Sequence, residues 1–271
     1  MSFPPPLRSG GNAAVEQRTP DFPSAPLRGE PGVRDRCPSG ALLNCRIKTQ
    51  EMMEEPDQVN IRLRQRSNFA VQHLIAAAGF SRQCGRIQQE NAGKVLGDFY
   101  TEQIACVSAT VMLSVASLES NINEYLENPE VLFSSVSNQQ ANEHVQLISN
   151  LSILDKYDRT LAFRECAPFI KGERPYQDVD VLISLRNELV HFHPEWHDAQ
   201  DRHEKLGNKL RYKFELSPFI TEETGVMFPH RIVSHGCTAW AVTRSLEFME
   251  VFTEKMGMES KFAKFRSKLS S

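Results

Sequence analysis

The sequence predicts an all-α protein, a helical bundle with irregular connections. Apolar residues recur at spacings of three and four along most of the chain after Gln58, the period of one face of an α-helix. Alternation with period two is almost missing, and "RYKFEL" (211–216) is the single strand candidate. No internal repeat is visible, so a solenoid is not indicated.

The elements follow in order. Eight of the fifteen prolines fall in the first 38 residues, and large apolar residues there are sparse. Such a segment cannot bury enough surface to offset chain entropy, so residues 1–57 are expected to be a disordered tail. A second reading of the same residues is an over-long start, with Met52 or Met53 as the true first residue. The helical domain is expected over 58–258 and a short basic tail over 259–271. Ser67 is a candidate N-cap for a helix with apolar positions at 71, 74, 75 and 78, interrupted at Gly79 and resumed to Gln89. The clearest helix spans Asp98 to Leu126, with apolar residues at 104, 107, 111, 115, 118, 122 and 125. Its small residues Ala105, Ser108, Ala109, Ser114 and Ala116 let a neighbour come close. "NPE" at 128–130 stops it. Helices are further expected over 138–149, 153–164, 176–192 and 237–256, with a basic, partly amphipathic stretch at 201–216.

Several function classes recede on composition. A net charge of −3 makes no global demand for nucleic acid, although a local basic groove is compatible with it. The six cysteines, at 37, 45, 84, 106, 166 and 237, include no C-x-x-C and no finger spacing. They read as reduced thiols of a cytoplasmic protein. The apolar run Ile104–Leu118 carries four hydroxyl residues and meets Glu119, which fits a buried helix better than a membrane span. No membrane association is expected, and no secretory signal is visible.

The chemistry concentrates in "VLISLRNELVHFHPEW", 181–196. On a helical wheel Leu182, Leu185, Leu189 and Phe192 form one apolar line, and Val179, Ile183 and Val190 the next. Arg186 stands in the second line, directed at protein. A guanidinium cannot shed its proton to ease burial, so it needs an anionic partner. Glu119, expected on the buried stripe of the long helix with Asn123 one turn on, is the internal candidate. A phosphate, which arginine grips bidentately, is the external one. Asn187 and His191 share a face. Pro194 pushes His193 out of the helical region, leaving His191 in the last turn. There an imidazole can take or give a proton near neutral pH. Arg186 and His191 lie about 140° apart on an ideal wheel.

The segment Arg186-Asn187-Glu188-Leu189-Val190-His191 resembles the R-x(4–6)-H motif of the HEPN superfamily. The lead-in "RPYQDVDVLISLRNELVHFHP", the earlier "VASLESNINEYL" and the later "CTAWAV" are similar to bacterial members, and together they cover about 67–257. The resemblance implies a helical bundle paired as a homodimer and metal-independent RNA cleavage. No cofactor is implied. His191 would be the base that draws the ribose 2′-hydroxyl proton, Arg186 would hold the scissile phosphate, and Asn187 would orient one of them. A second His191, from a partner copy across a two-fold axis, would protonate the leaving oxygen. Other members are non-catalytic interaction or regulatory modules, or accompany an antitoxin or nucleotidyltransferase partner.

Rival readings use the same residues. Arg186 paired with Glu119, and His191 capping helix-end carbonyls, would make a structural network. His193 is either a second acid/base group or a surface residue before proline. "HFHPEWH" offers His191, His193, Glu195 and His197 to a metal, but the proline breaks regular geometry and no second ligand cluster is evident. Trp196 is a packing residue or a base-stacking platform. Arg202, Lys205, Lys209, Arg211 and Lys213 would steer an RNA backbone or line a solvated face.

Overall fold

Period and punctuation, which set the expected helices, also set the observed ones. The computed structural model describes residues 67–195 and 201–271; the readings placed on 1–66, on Trp196 and on His197 lie outside the described residues. Within them the fold is all-α, with no strand. The "RYKFEL" stretch forms turns and loop after a helix.

Helix α1 runs over Ala70–Glu90 and α2 over Phe99–Leu126, an antiparallel pair in the longest contact of the bundle. Two expectations for α1 are corrected. It passes unbroken through Gly79, and its N-cap is Phe69 rather than Ser67. Its first amide is satisfied from a distance, because Ala70 N donates to Glu124 Oε1 at 2.8 Å. After the single turn α3 (Pro129–Leu132), α4 (Asn138–Ser149) opens on a reciprocal Ser137/Gln140 cap and α5 (Ile153–Phe163) on Ser152. Then follow α6 (Tyr176–Val190), α7 (Asp201–Leu210) and a kinked turn, Met227–Arg231. Helix α8 (His235–Lys255) is capped by Ser234, whose Oγ accepts from Cys237 N at 3.1 Å. Gly236 is required there, since an added Cβ would lie 2.4 Å from the Glu215 carbonyl oxygen.

The core is the seam where α1, α2 and α8 meet, extended by α5 and α6. The Tyr157 ring stands edge-on to Phe248 and Phe252 at 4.8 and 4.7 Å. Helix α2 is long and apolar enough to cross a membrane by length and composition, and half of that apolar window is buried inside the bundle. Its buried face is rich in hydroxyls: Thr110, Ser114 and Ser117 are fully enclosed. Thr110 and Ser117 spend theirs on backbone carbonyls, so burial leaves those two satisfied.

Residues 259–271, expected as a tail, close against the bundle instead. Phe262 and Leu269 are buried within the final turns, Ala263–Phe265 and α9 (Arg266–Leu269). Arg82 donates to the carbonyls of Lys268 and Ser270, at 3.1 and 2.6 Å. Two anchoring apolar side chains turn an otherwise basic stretch into part of the fold.

Burial also fixes the thiols. It pushes Cys84 up to about 11 and Cys237 further still. A raised folded-state value means stability is undiminished below the ordinary thiol value of 9.0 and falls as pH rises toward 11. Alkylation of the native protein in mildly alkaline buffer is therefore expected to spare Cys84 and Cys237. Both should be labelled once denaturant is added, as read by peptide mass spectrometry.

Candidate functional site

The candidate site is the C-terminal half of α6 and the chain that leaves it. Its helix is held at the other end by Asp178, whose carboxylate is fully buried in the first turn. Three cations from three places surround it: Lys213, Arg174 at 3.3 Å and Arg244 at 3.2 Å. Asp178 thus locks α6 to α8 and to the segment after α7.

Along α6 burial fades toward the C-terminus. Val179, Leu182 and Leu185 are buried, Ile183 and Leu189 half-buried, and Val190 is 48% exposed. Arg186 sits on this gradient. It is half-buried, and its Nε is enclosed without a hydrogen-bond partner. Among the described residues the half-buried arginines are Arg164, Arg186, Arg231 and Arg244. Arg164 donates to the Leu132 and Met256 carbonyls, Arg231 pairs with Glu222, and Arg244 pairs with Asp178 and Glu247. Arg186 has no such partner among the described residues.

The expected internal partner fails. Glu119 and Asn123 are exposed, not on the buried stripe of α2. Close approach of α1 centres the buried arc on Ser114, Leu118 and Asn121, and Glu119 falls just past its edge. Asn123 instead accepts from Lys156 Nζ at 2.9 Å. A polar network does cross the interface, but through Asn121, which donates to Tyr157 Oη at 2.9 Å, while Tyr157 donates to the Leu118 carbonyl at 2.8 Å.

The helix ends at Val190 and His191 is its C-cap, with φ −111° and ψ 46°. The His191 amide donates to the Asn187 carbonyl at 2.9 Å. Asn187, His191 and His193 are all exposed. The helix is regular up to Val190, so the wheel angle between Arg186 and His191 persists, across a rise of about 7.5 Å. One chain therefore offers a cation and an imidazole on different sides of a helix end, not a closed pair.

The basic set divides. Lys213 is a counter-ion of Asp178 with its side chain 11% exposed, which removes it from any nucleic-acid surface. Arg202 is engaged by Glu188 at 2.7 Å. Lys205, Lys209 and Arg211 remain exposed. No group of three His, Cys, Asp or Glu among the described residues could hold a metal ion.

Sequence reasoning missed His203. It is 3% exposed and lies beneath Phe192, with its Nδ1 3.5 Å from Glu195 Oε2. Its position three before Leu206 and seven before Leu210, on the apolar line of α7, was the signal for it.

Comparison of the chain with protein-family models, with curated proteins and with solved structures found no match.

Proposed function

We propose that the protein is a HEPN-type endoribonuclease that cleaves RNA without a metal, acting as a homodimer. The observation that carries the reading is Arg186: a partly desolvated guanidinium with no counter-ion among the described residues, placed one helical turn and a half before an exposed histidine. Holding such a cation unpaired is costly unless an anion arrives from outside, and a phosphodiester matches its fork.

In this reading the neutral His191 imidazole removes the proton from the ribose 2′-hydroxyl. The 2′-oxygen attacks phosphorus, and Arg186 stabilises the charge that gathers on the phosphoryl oxygens. The bond to the 5′-oxygen breaks, and that oxygen takes a proton from a second, protonated imidazole. The products are a 2′,3′-cyclic phosphate and a 5′-hydroxyl. The second imidazole is His191 of a partner copy, because the motif of one chain offers one well-placed histidine for two proton transfers. Asn187, on the same face as His191, contacts the phosphate or the ribose.

Purified protein is expected to cleave RNA in excess EDTA, leaving cyclic-phosphate ends, and His191→Ala is expected to slow it about 10²–10⁴-fold. A metal requirement, 5′-phosphate ends or an unimpaired variant would overturn the proposal. RNA bound but left intact would favour a non-catalytic interaction module, a reading that the separation of Arg186 from His191 within one chain supports.

A further inference from the structure

We propose that His203 is a positioning residue for His191, acting through Phe192. The proposal rests on the reading of His191 as the proton-moving group, but the geometry behind it does not.

The His191 imidazole has no hydrogen-bond partner among the described residues; only its backbone amide is tied, to Asn187. Where the ring stands depends on the backbone on both sides of it: α6 before it, and the chain that follows. That chain meets His203 at two points, and Phe192 also touches the Phe228 ring, with centroids 6.3 Å apart and planes tilted by 54°. Phe192, the next residue, stacks on the His203 ring with centroids 5.3 Å apart and planes 24° apart. Three residues further, Glu195 Oε2 accepts the His203 backbone amide at 3.0 Å. This bond also satisfies an N-terminal amide of α7. Between the two points stands Pro194, whose ring removes most of the remaining backbone freedom.

His203 is well placed to be a fixed post. Its ring meets Phe228 edge-on at 5.0 Å and stacks on Phe192, and the three rings form one cluster. The Arg202–Glu188 pair clasps its helix to α6, one turn before His191. At 3% exposure the His203 ring cannot touch a substrate, so any part it has runs through Phe192. Phe192 is 45% exposed. Hydrophobic burial alone is a weak reason for its fixed pose, and the stack supplies a better one.

The test reads His191 directly. The ring carbon–proton NMR signals of His191, assigned with His191→Ala, are followed through a pH titration in wild type, His203→Ala, Phe192→Ala and His203→Phe. Both alanine variants remove the same stack from opposite sides. Phe192→Ala changes a half-exposed residue and should fold even if His203→Ala does not. The expected result is displaced His191 signals and a moved titration midpoint in the alanine variants, wild-type values in His203→Phe, and unmoved His235 signals throughout. RNA cleavage, where it is present, should fall in kcat by up to about 10²-fold with KM little changed, the scale of a misplacement near 1 Å. His191 signals that stay at their wild-type positions in Phe192→Ala would overturn the proposal while leaving the nuclease reading standing. Displaced signals in a protein that never cleaves RNA would support it and remove the nuclease reading instead.

Discussion

Arg186→Met is expected to abolish RNA cleavage while leaving the melting temperature unchanged or raised. The two halves of this expectation have one cause. Arg186 is half-buried with an enclosed, unbonded Nε and no carboxylate beside it among the described residues. Methionine keeps an unbranched side chain of similar length along α6 but carries no charge and no donor to be left unmet. Removing the cation should add about 0.5–2 kcal/mol, the range typical when a site held for function is relieved. Cleavage should fall about 10²–10³-fold or more, the loss usual when a group that stabilises transition-state charge is deleted. Arg186→Lys should restore little, because a point charge does not reproduce the planar fork. Chemical denaturation beside a cleavage assay checks both halves. A fall of about 3–5 kcal/mol with cleavage intact is what a structural ion pair would give, and it would end the functional assignment of this residue.

The sign matters because it separates two accounts that the sequence left open. A wheel drawn on 176–192 puts Arg186 between Ile183 and Val190, and the structure has it half-buried there, with Val190 exposed. The same wheel drawn on α2 misplaced Glu119. The difference lies in what sets each buried face. For α6 the apolar residues are bulky and leave little choice. For α2 the face is chosen by small hydroxyl residues that admit α1 closely, and Ser114, Ser117 and Asn121 read as polar although they are fully buried. Helix positions were legible from the apolar period and from the stop at 128–130, which act locally. The caps were not: Ser67 was expected to cap α1 and does not, and the capping serines Ser137, Ser152 and Ser234 went unread. The segment 259–271 was not legible either, because its anchoring depends on partners far away in the chain, among them Arg82 and Glu124. His203 was hidden in the same way, since its value lies in Phe192 and Glu195, eleven and eight residues before it in the irregular chain that leaves α6.

Asp178→Asn provides the opposite sign on the same helix. It is expected to cost about 3–5 kcal/mol of stability, the loss that follows when one member of a buried charge cluster is removed. The carboxylate is fully enclosed and faces Lys213, Arg244 and Arg174. Their weights differ. The Arg174 side chain is 57% exposed, so solvent screens it and its share is small. Lys213 and Arg244, at 11% and 24%, would be left beside a neutral amide with little water to turn to. Glu247 compensates Arg244 in part, which leaves Lys213 as the group most exposed to the loss. Lys213→Met on the wild-type background should therefore be milder than Asp178→Asn, and in the double variant the second change should cost less than it does alone. Denaturant titration of the four proteins measures that coupling. A loss below about 1 kcal/mol for Asp178→Asn, the scale of a surface pair, would mean that the cluster does not anchor α6. The frame that carries Arg186 and His191 would then rest on apolar packing against α2 and α8 alone.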